Sequence, residues 1–363
     1  MKRVTVSLLT LLAAFCGNAA ASNLFVQFNL ASDIPGLAKF TDPGLINPWG
    51  ISASATSPMW LSINGNGTSE LYNGLGVKQG LVVTIPGFPA GTTGTPTGTV
   101  FANVSGSFNG DTFLFDSEDG TVSGWRGALG TAAEVLQTGS TDNVYKGMTD
   151  ANIGGTVYAY LANFRTGTVD VMKGNGGAPN LTGNFTDPNL PSGYAPFGIQ
   201  NIGGVIYVTY AVQDAAKHDD VAGVGNGIVD AYDVQGNLLG RLVTGGALNS
   251  PWGLALAPAG FGNYGGDLLV GNFGDGLIHA YNPTTGAPVG TLLDVNGSPL
   301  SIDGLWGLRF GNNSANPNAL YFTAGPNGEA DGLFGELVNA PEPGTWLLLG
   351  LGLAPLLRKR GRA

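Results

Sequence analysis

An aromatic residue followed by glycine returns along this chain at intervals near fifty residues. It stands as Asn47-Pro48-Trp49-Gly50-Ile51, Ala195-Pro196-Phe197-Gly198-Ile199, Ser250-Pro251-Trp252-Gly253-Leu254 and Gly304-Leu305-Trp306-Gly307-Leu308, with Tyr145-Lys146-Gly147-Met148 as a weaker copy. Gly198 to Gly253 is 55 residues and Gly253 to Gly307 is 54, whereas Gly50 to Gly147 is 97. The last interval holds two units, so a degenerate copy is expected inside it, beginning near Asn109-Gly110-Asp111-Thr112-Phe113. A period of this size confines the chain to repeat architectures, in which each unit buries its apolar face against its neighbours.

A second motif follows in every unit: a Gly-led turn and then an alternating strand, at 67–72, 120–125, 167–172, 227–232, 276–281 and 332–337. Apolar strands precede it at 205–210, 267–271 and 319–323, and further strands follow at 238–243 and 288–293. Six units of four strands describe an all-β, six-bladed β-propeller; a seven-bladed ring is the competing count. Composition agrees. The 61 glycines among 363 residues weigh against a helical bundle, because each interior Gly costs about 1 kcal/mol relative to Ala. With 17 Phe, 11 Tyr and 6 Trp, the chain can still build a large core, which argues against disorder. The sixth unit stops near Val338, and the strand-like segment 24–30 has no other home. It is expected to close the ring as the last strand of the last blade.

The two ends carry addresses. Residues 1–21 read as a cleavable signal: Lys2 and Arg3, an apolar stretch over 4–15, and a small-residue site at Ala19-Ala20-Ala21. Cys16, the one cysteine, lies inside this segment, behind Phe15 rather than the small residue a lipoprotein signal wants. Cleavage would leave no thiol and no disulfide. Residues 341–363 hold Pro341-Glu342-Pro343, an apolar run over 344–357, and the basic group Arg358-Lys359-Arg360-Gly361-Arg362. This order resembles a PEP-CTERM sorting signal. The resemblance implies transport by the Sec export machinery and transient inner-membrane association of the hydrophobic transmembrane helix. Its basic tail would stay cytoplasmic. Cleavage by an exosortase would then release the protein to the cell surface or exterior. A retained tail anchor is the alternative, although the run is shorter than the roughly 20 residues of a comfortable span. Between the signals, residues 22–340 carry 9 basic and 24 acidic residues, a net charge of −15. That argues against nucleic acid as a partner and suits a soluble extracytoplasmic protein and cation binding.

The body, 22–340, resembles a family of bacterial exported proteins with an NHL-like six-bladed propeller, many of them ending in PEP-CTERM signals. The resemblance rests on Asn47-Pro48-Trp49-Gly50, Glu118-Asp119-Gly120-Thr121, the blocks 162–168, 249–255, 271–276 and 321–332, and the loop 213–227. That family has no established activity, so it implies the fold and no catalytic residues.

Departures from the repeat nominate functional residues. The aromatic-Gly steps are expected to pack between blades, with Gly permitting close backbone approach. The long insertion 213–227 in the fourth unit carries Asp214, Lys217, His218, Asp219 and Asp220. Such a loop offers oxygen ligands to Ca²⁺, or a His/Asp pair to a transition metal; alternatively its charges cap neighbouring turns. At the matching place in other units, Asn64, Asp116, Asn163, Asn272 and Asp275 are candidates for a polar ring around the channel. The alternative is that each simply makes its own turn. Of the two histidines, His279 sits in an alternating strand and reads as structural, and no nucleophile elbow, phosphate loop or zinc cluster is present. The expected function is a non-enzymatic binding or structural module for an extracellular glycan or protein. A divalent-metal hydrolase or lactonase at the channel mouth is the alternative, by fold analogy.

Overall fold

A computed structural model describes residues 23–102 and 104–340. The expected signal 1–21, and the hydrophobic helix and basic tail expected within 341–363, lie outside the described residues. Among the described residues, no helix is long and apolar enough to cross a membrane.

Six sheets surround a central axis, antiparallel except for a short parallel pairing of 31–32 with Phe40–Thr41 at one edge. Blade 1 is Pro48–Ser52, Met59–Ile63, Thr68–Tyr72 and Lys78–Thr84, and blade 2 is Pro96–Phe101, Phe113–Ser117, Val122–Trp125 and Glu134–Gln137. Blade 3 has three strands, Tyr145–Ile153, Thr156–Asn163 and Thr168–Lys173. Blade 4 is Tyr194–Ile202, Val205–Val212, Ile228–Asp233 and Leu238–Thr244, and blade 5 is Pro251–Leu256, Leu268–Asn272, Ile278–Tyr281 and Pro288–Thr291. Blade 6 takes Leu305–Phe310, Leu320–Ala324 and Leu333–Asn339 from the end of the body and Phe25–Ser32 from its start. That last strand runs antiparallel to Leu333–Asn339, with Phe25 opposite Asn339, so the ring closes as the sequence predicts.

Strand alternation sends successive side chains to opposite neighbours. Thus Leu268 and Val270 pack toward blade 4 while Leu269 packs toward blade 6. The result is one hydrophobic cluster at each of the six blade interfaces.

Among the described residues blade 3 lacks the expected fourth strand, and two further features of the repeat differ from expectation. Blade 2 begins at Pro96, not near Asn109, which falls in a 3₁₀ turn before the second strand. Pro96-Thr97-Gly98 keeps the proline and glycine of the step but lacks the aromatic. The Thr97 hydroxyl instead bonds the Asp116 carboxylate at 3.0 Å and the Tyr145 carbonyl at 3.0 Å. The aromatic rings also do not separate the blades. Trp49, Phe197, Trp252 and Trp306 meet each other across the axis, joined by Phe164 and Phe273, in a cluster that plugs the channel. Trp49 stacks on Trp306 with ring centres 3.5 Å apart, and Phe273 covers the other neighbourhood of Trp306 at 4.0 Å.

Glycine follows these residues because the inner strands nearly touch. A Cβ on Gly198 would lie 2.2 Å from the Trp252 carbonyl oxygen, and one on Gly253 would lie 2.5 Å from that of Trp306. Each inner strand is also out of register with its partner at this step. In three blades a second-strand side chain takes the glycine N–H: Asp116 for Gly98 at 2.6 Å, Thr209 for Gly198 at 2.8 Å and Thr323 for Gly307 at 2.8 Å. Gly198→Ala is therefore expected to destabilise the protein by about 1–3 kcal/mol through overpacking. Gly147→Ala, whose Cβ meets nothing nearer than 3.5 Å, is expected to cost far less. Equal denaturant midpoints for the two variants would contradict this account.

Candidate functional site

The turns between second and third strands lie at the same end of the channel as the starts of the inner strands, above the aromatic plug. Lys146 organises this mouth. It occupies the position where other blades place Trp or Phe, so its chain enters the plug and only 2 % of its side chain is exposed. Its ammonium lies 5.1 Å from the centre of the Trp49 ring. An ammonium buried this deeply needs paired charge. The Glu118 carboxylate supplies it at 2.5 Å, and Asp219 adds a second contact at 3.2 Å. Burial pushes the Lys146 pKa down, but Glu118 and Asp219 outweigh it and hold the ammonium above its ordinary value.

The network continues on both sides. Asn64 Nδ2 donates to Glu118 at 3.0 Å, and Asn47 Nδ2 reaches Asn64 Oδ1 at 3.5 Å and Glu329 at 2.8 Å. A left-handed backbone at Asn47 (φ 49°) accompanies this inward turn of its amide, and Asn47 Oδ1 accepts from Trp306 Nε1 at 3.3 Å. Burial raises the Glu329 carboxyl above its ordinary value, opposed by the Asn47 bond. Beyond Lys146, Asp219 bonds His218 Nδ1 at 2.8 Å. Burial pushes Asp219 up, yet Lys146 and His218 together hold it below the usual carboxylate range. Blades 6, 1, 2, 3 and 4 are thus linked in an arc around the axis.

The insertion 213–227 folds back as a small hairpin that delivers Asp219 to Lys146. Gln213 pairs with Asp220, and Gln213 Nε2 donates to the Phe164 carbonyl. The Gly223 N–H donates to Asn249 of the blade 5 side at 2.6 Å. Asp214 accepts from the backbone N–H of His218 at 2.8 Å and so caps the turn. Burial raises the Asp220 carboxyl above its ordinary value.

The structure brings together three of the nine nominated residues, Asn64, His218 and Asp219. The other turn residues hold their own surroundings. Asn163 bonds Asn143 at 3.0 Å and Asp170 at 2.8 Å. Asn272 donates to the Ala247 carbonyl at 2.9 Å, and Asp275 accepts from Asn249 at 3.2 Å. Asp116 is buried on the second strand of blade 2. His279 is buried and bonded to Thr291 at 2.9 Å. The residues missing from the sequence reading are Lys146, Glu118, Glu329 and Asn47. Lys146 had a legible signal, since it replaces the aromatic in one copy of the step.

In chemical terms, one oxygen or nitrogen each from Glu118, His218 and Asp219 lies within 4.8 Å of the others. These are ligand types suited to a divalent cation. At the same focus, Lys146 already contacts both carboxylates.

Removing Lys146 strands Glu118, which is only 14 % exposed. Lys146→Met is expected to cost about 3 kcal/mol, and adding Glu118→Gln should recover much of it. A double-mutant cycle by urea unfolding tests this, and additive losses would mean the two side chains are not coupled. Asp116 gives a pH prediction. Burial raises its carboxyl to about 7. A carboxyl with a raised folded pKa contributes fully below its unfolded pKa and loses that contribution as pH rises toward the folded one. Asp116→Asn keeps an oxygen for the Gly98 N–H and does not titrate. Its stability relative to the unsubstituted protein should therefore grow by on the order of 2 kcal/mol between pH 5 and 8. A gap unchanged with pH would contradict the assignment.

Comparisons place this molecule among known proteins. The PEP-CTERM protein-sorting motif matches residues 339–360. It marks the chain as an exported substrate of an exosortase, directed to the cell surface or exterior. Among solved structures, the α-L-arabinanase of Penicillium chrysogenum superposes with a TM-score of 0.54 at 9% identity, covering 86% of this chain and 97% of its own. An α-L-arabinofuranosidase of Fusarium graminearum gives 0.53 at 11% identity, covering 88% and 98%. These likenesses are of fold alone. The uncharacterised protein L690 of Acanthamoeba polyphaga mimivirus is 32% identical over 317 residues, spanning 83% of this chain and 82% of its own length. The uncharacterised protein R648 of the same virus is 33% identical over 325 residues, covering 85% of this chain and 78% of its own. This six-bladed β-propeller with a PEP-CTERM motif therefore belongs to one family with R648 and L690.

Proposed function

We propose that the protein is a non-catalytic binding module of the cell surface or extracellular space, presenting its loop-bearing mouth to a hydroxyl-rich glycan or a protein. In this reading residues 1–21 are removed on Sec export, 22–340 form the working domain, and 341–363 are processed by the exosortase. The NHL-like bacterial family stands as its wider kinship. The observation that carries the proposal is the Lys146 ammonium, seated against Glu118 and Asp219 over a sealed aromatic plug. A resident cation fills the focus that a catalytic metal would need, and the carboxylates act as its counter-ions. Around it, Asn64, Glu118, Asp219 and Glu329 form a rim of polar groups suited to multiple hydrogen bonds.

The second reading, a divalent-metal hydrolase or lactonase, draws on the proximity of Glu118, His218 and Asp219. Thermal unfolding with EDTA and then with Ca²⁺, beside assays on lactone and ester panels, separates the two. A site filled at 100 times its Kd would add about 2.7 kcal/mol. The binding-module reading expects no Ca²⁺-dependent shift and no turnover. It also expects glycan- or protein-array binding that weakens in Asn64→Ala. A Ca²⁺ stabilisation abolished by Asp219→Ala, with metal-dependent hydrolysis, would overturn it in favour of the enzyme.

A further inference from the structure

The opposite end of the channel has the reverse character. Below the plug the inner strands diverge and enclose an open cavity of about 230 Å³, lined among others by Ser52, Thr99, Asp150, Gln200 and Arg309. A second cavity of about 210 Å³ adjoins it and shares Gln200 and Arg309. Asp150 stands on the inner strand of blade 3 and Arg309 on that of blade 6, opposite each other in a six-membered ring.

Among the described residues, neither charge forms a salt bridge. Arg309 Nη2 donates to the Ala53 carbonyl at 2.9 Å, while its Nε is buried without a hydrogen-bond partner. Burial pushes the Arg309 pKa below its ordinary value, and no carboxylate among the described residues holds it up. The Asp150 carboxyl is pushed up to about 6 by burial, opposed only by its own backbone N–H. Both groups are half-buried and line the cavity wall, so water or a ligand can reach them. This contrasts with Lys146, 2 % exposed and closely paired, in the same channel. The wall itself is fixed: the Asn201 N–H donates to Thr149 Oγ1 at 2.9 Å, and Asn201 Nδ2 donates to the Asp150 carbonyl at 2.7 Å. These bonds tie blade 4 to blade 3 through the Thr149 hydroxyl and the Asp150 backbone carbonyl, without using the Asp150 carboxyl.

We propose that this far mouth of the channel binds a small hydroxy- or amino-carboxylate. The ligand's carboxylate pairs with the Arg309 guanidinium, and its hydroxyl or ammonium hydrogens are accepted by the Asp150 carboxylate. A guanidinium is the side chain best shaped to hold a carboxylate by two parallel bonds. The cavity is smaller than the roughly 300–1,000 Å³ of drug-sized ligand pockets, which sets the ligand at the scale of one sugar acid or one amino acid. The site is separate from the loop-bearing mouth and does not depend on its role.

Isothermal titration of the full chain with D-glucuronate, L-serine and D-glucose tests the proposal. Saturable binding is expected for at least one of the two carboxylates, with glucose inert. Glucuronate alone identifies a sugar acid, and serine alone an amino acid. Arg309→Gln should raise Kd at least about tenfold through loss of the charge-assisted pair, and Asp150→Asn should weaken binding too. Arg309→Lys keeps the charge without the fork and should retain part of the affinity, so the test survives a folding defect in Arg309→Gln. Failure of both carboxylates to saturate the unsubstituted protein would overturn the proposal. So would glucose binding as tightly as glucuronate, or affinity unchanged in the Arg309 and Asp150 variants.

Discussion

Six inner strands approach the axis so closely that five of them leave no room for a Cβ at the same step. Added atoms on Gly50, Gly98, Gly198, Gly253 and Gly307 would lie 2.2–2.6 Å from the next strand's backbone. Contact this tight fixes the spacing and order of the blades. It also turns the residue before each glycine toward the centre, where Trp49, Phe197, Trp252 and Trp306 seal the channel. Lys146 arrives at that position by the same geometry and brings a charge into an apolar plug. Its pairing with Glu118 and Asp219 follows from the desolvation that the hub imposes. The polar mouth is therefore a consequence of one substitution in the repeat, and the fold's own packing rule positions it.

Much of this was legible in sequence, for physical reasons. Period-two alternation reports burial on both faces of a blade, so the strands and the closing role of the first one could be read. The start of blade 2 is hidden from a reading that follows the aromatic of the step, because blade 2 has Thr97 in its place. The glycine is the harder requirement, and Pro96-Thr97-Gly98 keeps it, 48 residues after Gly50 and 49 before Gly147. The site was less legible. Asn163, Asn272 and Asp275 are consumed by bonds to nearby or adjacent turns, whereas the mouth assembles side chains remote in sequence. Lys146 is 28 residues from Glu118 and 73 from Asp219. Turn composition cannot distinguish these cases, because local capping and long-range pairing use the same residue types.

The described residues contain no cysteine, so an exported ring must be held shut by other means. Blade 6 does this by combining strands from the two ends of the body. Phe25–Ser32 pairs along the length of Leu333–Asn339, and Phe25 stacks near Phe261 and Tyr264 of blade 5 at 4.6 and 6.1 Å. Opening the ring would break a full strand ladder and expose that aromatic contact together. The closure is therefore cooperative, where a disulfide acts mainly by limiting the unfolded chain.

The two ends of the channel divide the charged groups in opposite ways. At the loop-bearing end, buried charge is neutralised within the protein, and interaction there must come from the rim. At the other end the walls diverge beyond the glycines, and Asp150 and Arg309 line one cavity with no salt bridge among the described residues. Six strands that converge at one level must spread on leaving it, because each twists as it runs. The narrow waist therefore creates both features. It excludes water where aromatic rings meet, and it leaves a polar chamber below. A propeller sealed by its own side chains at the waist offers two separate surfaces, one broad and looped, the other a small open cavity. The cost of burying an unpaired charge accounts for the arrangement at the first. At the second, the Arg309 guanidinium and the Asp150 carboxyl line one cavity and are the groups the proposed ligand would engage with its carboxylate and its hydroxyl or ammonium.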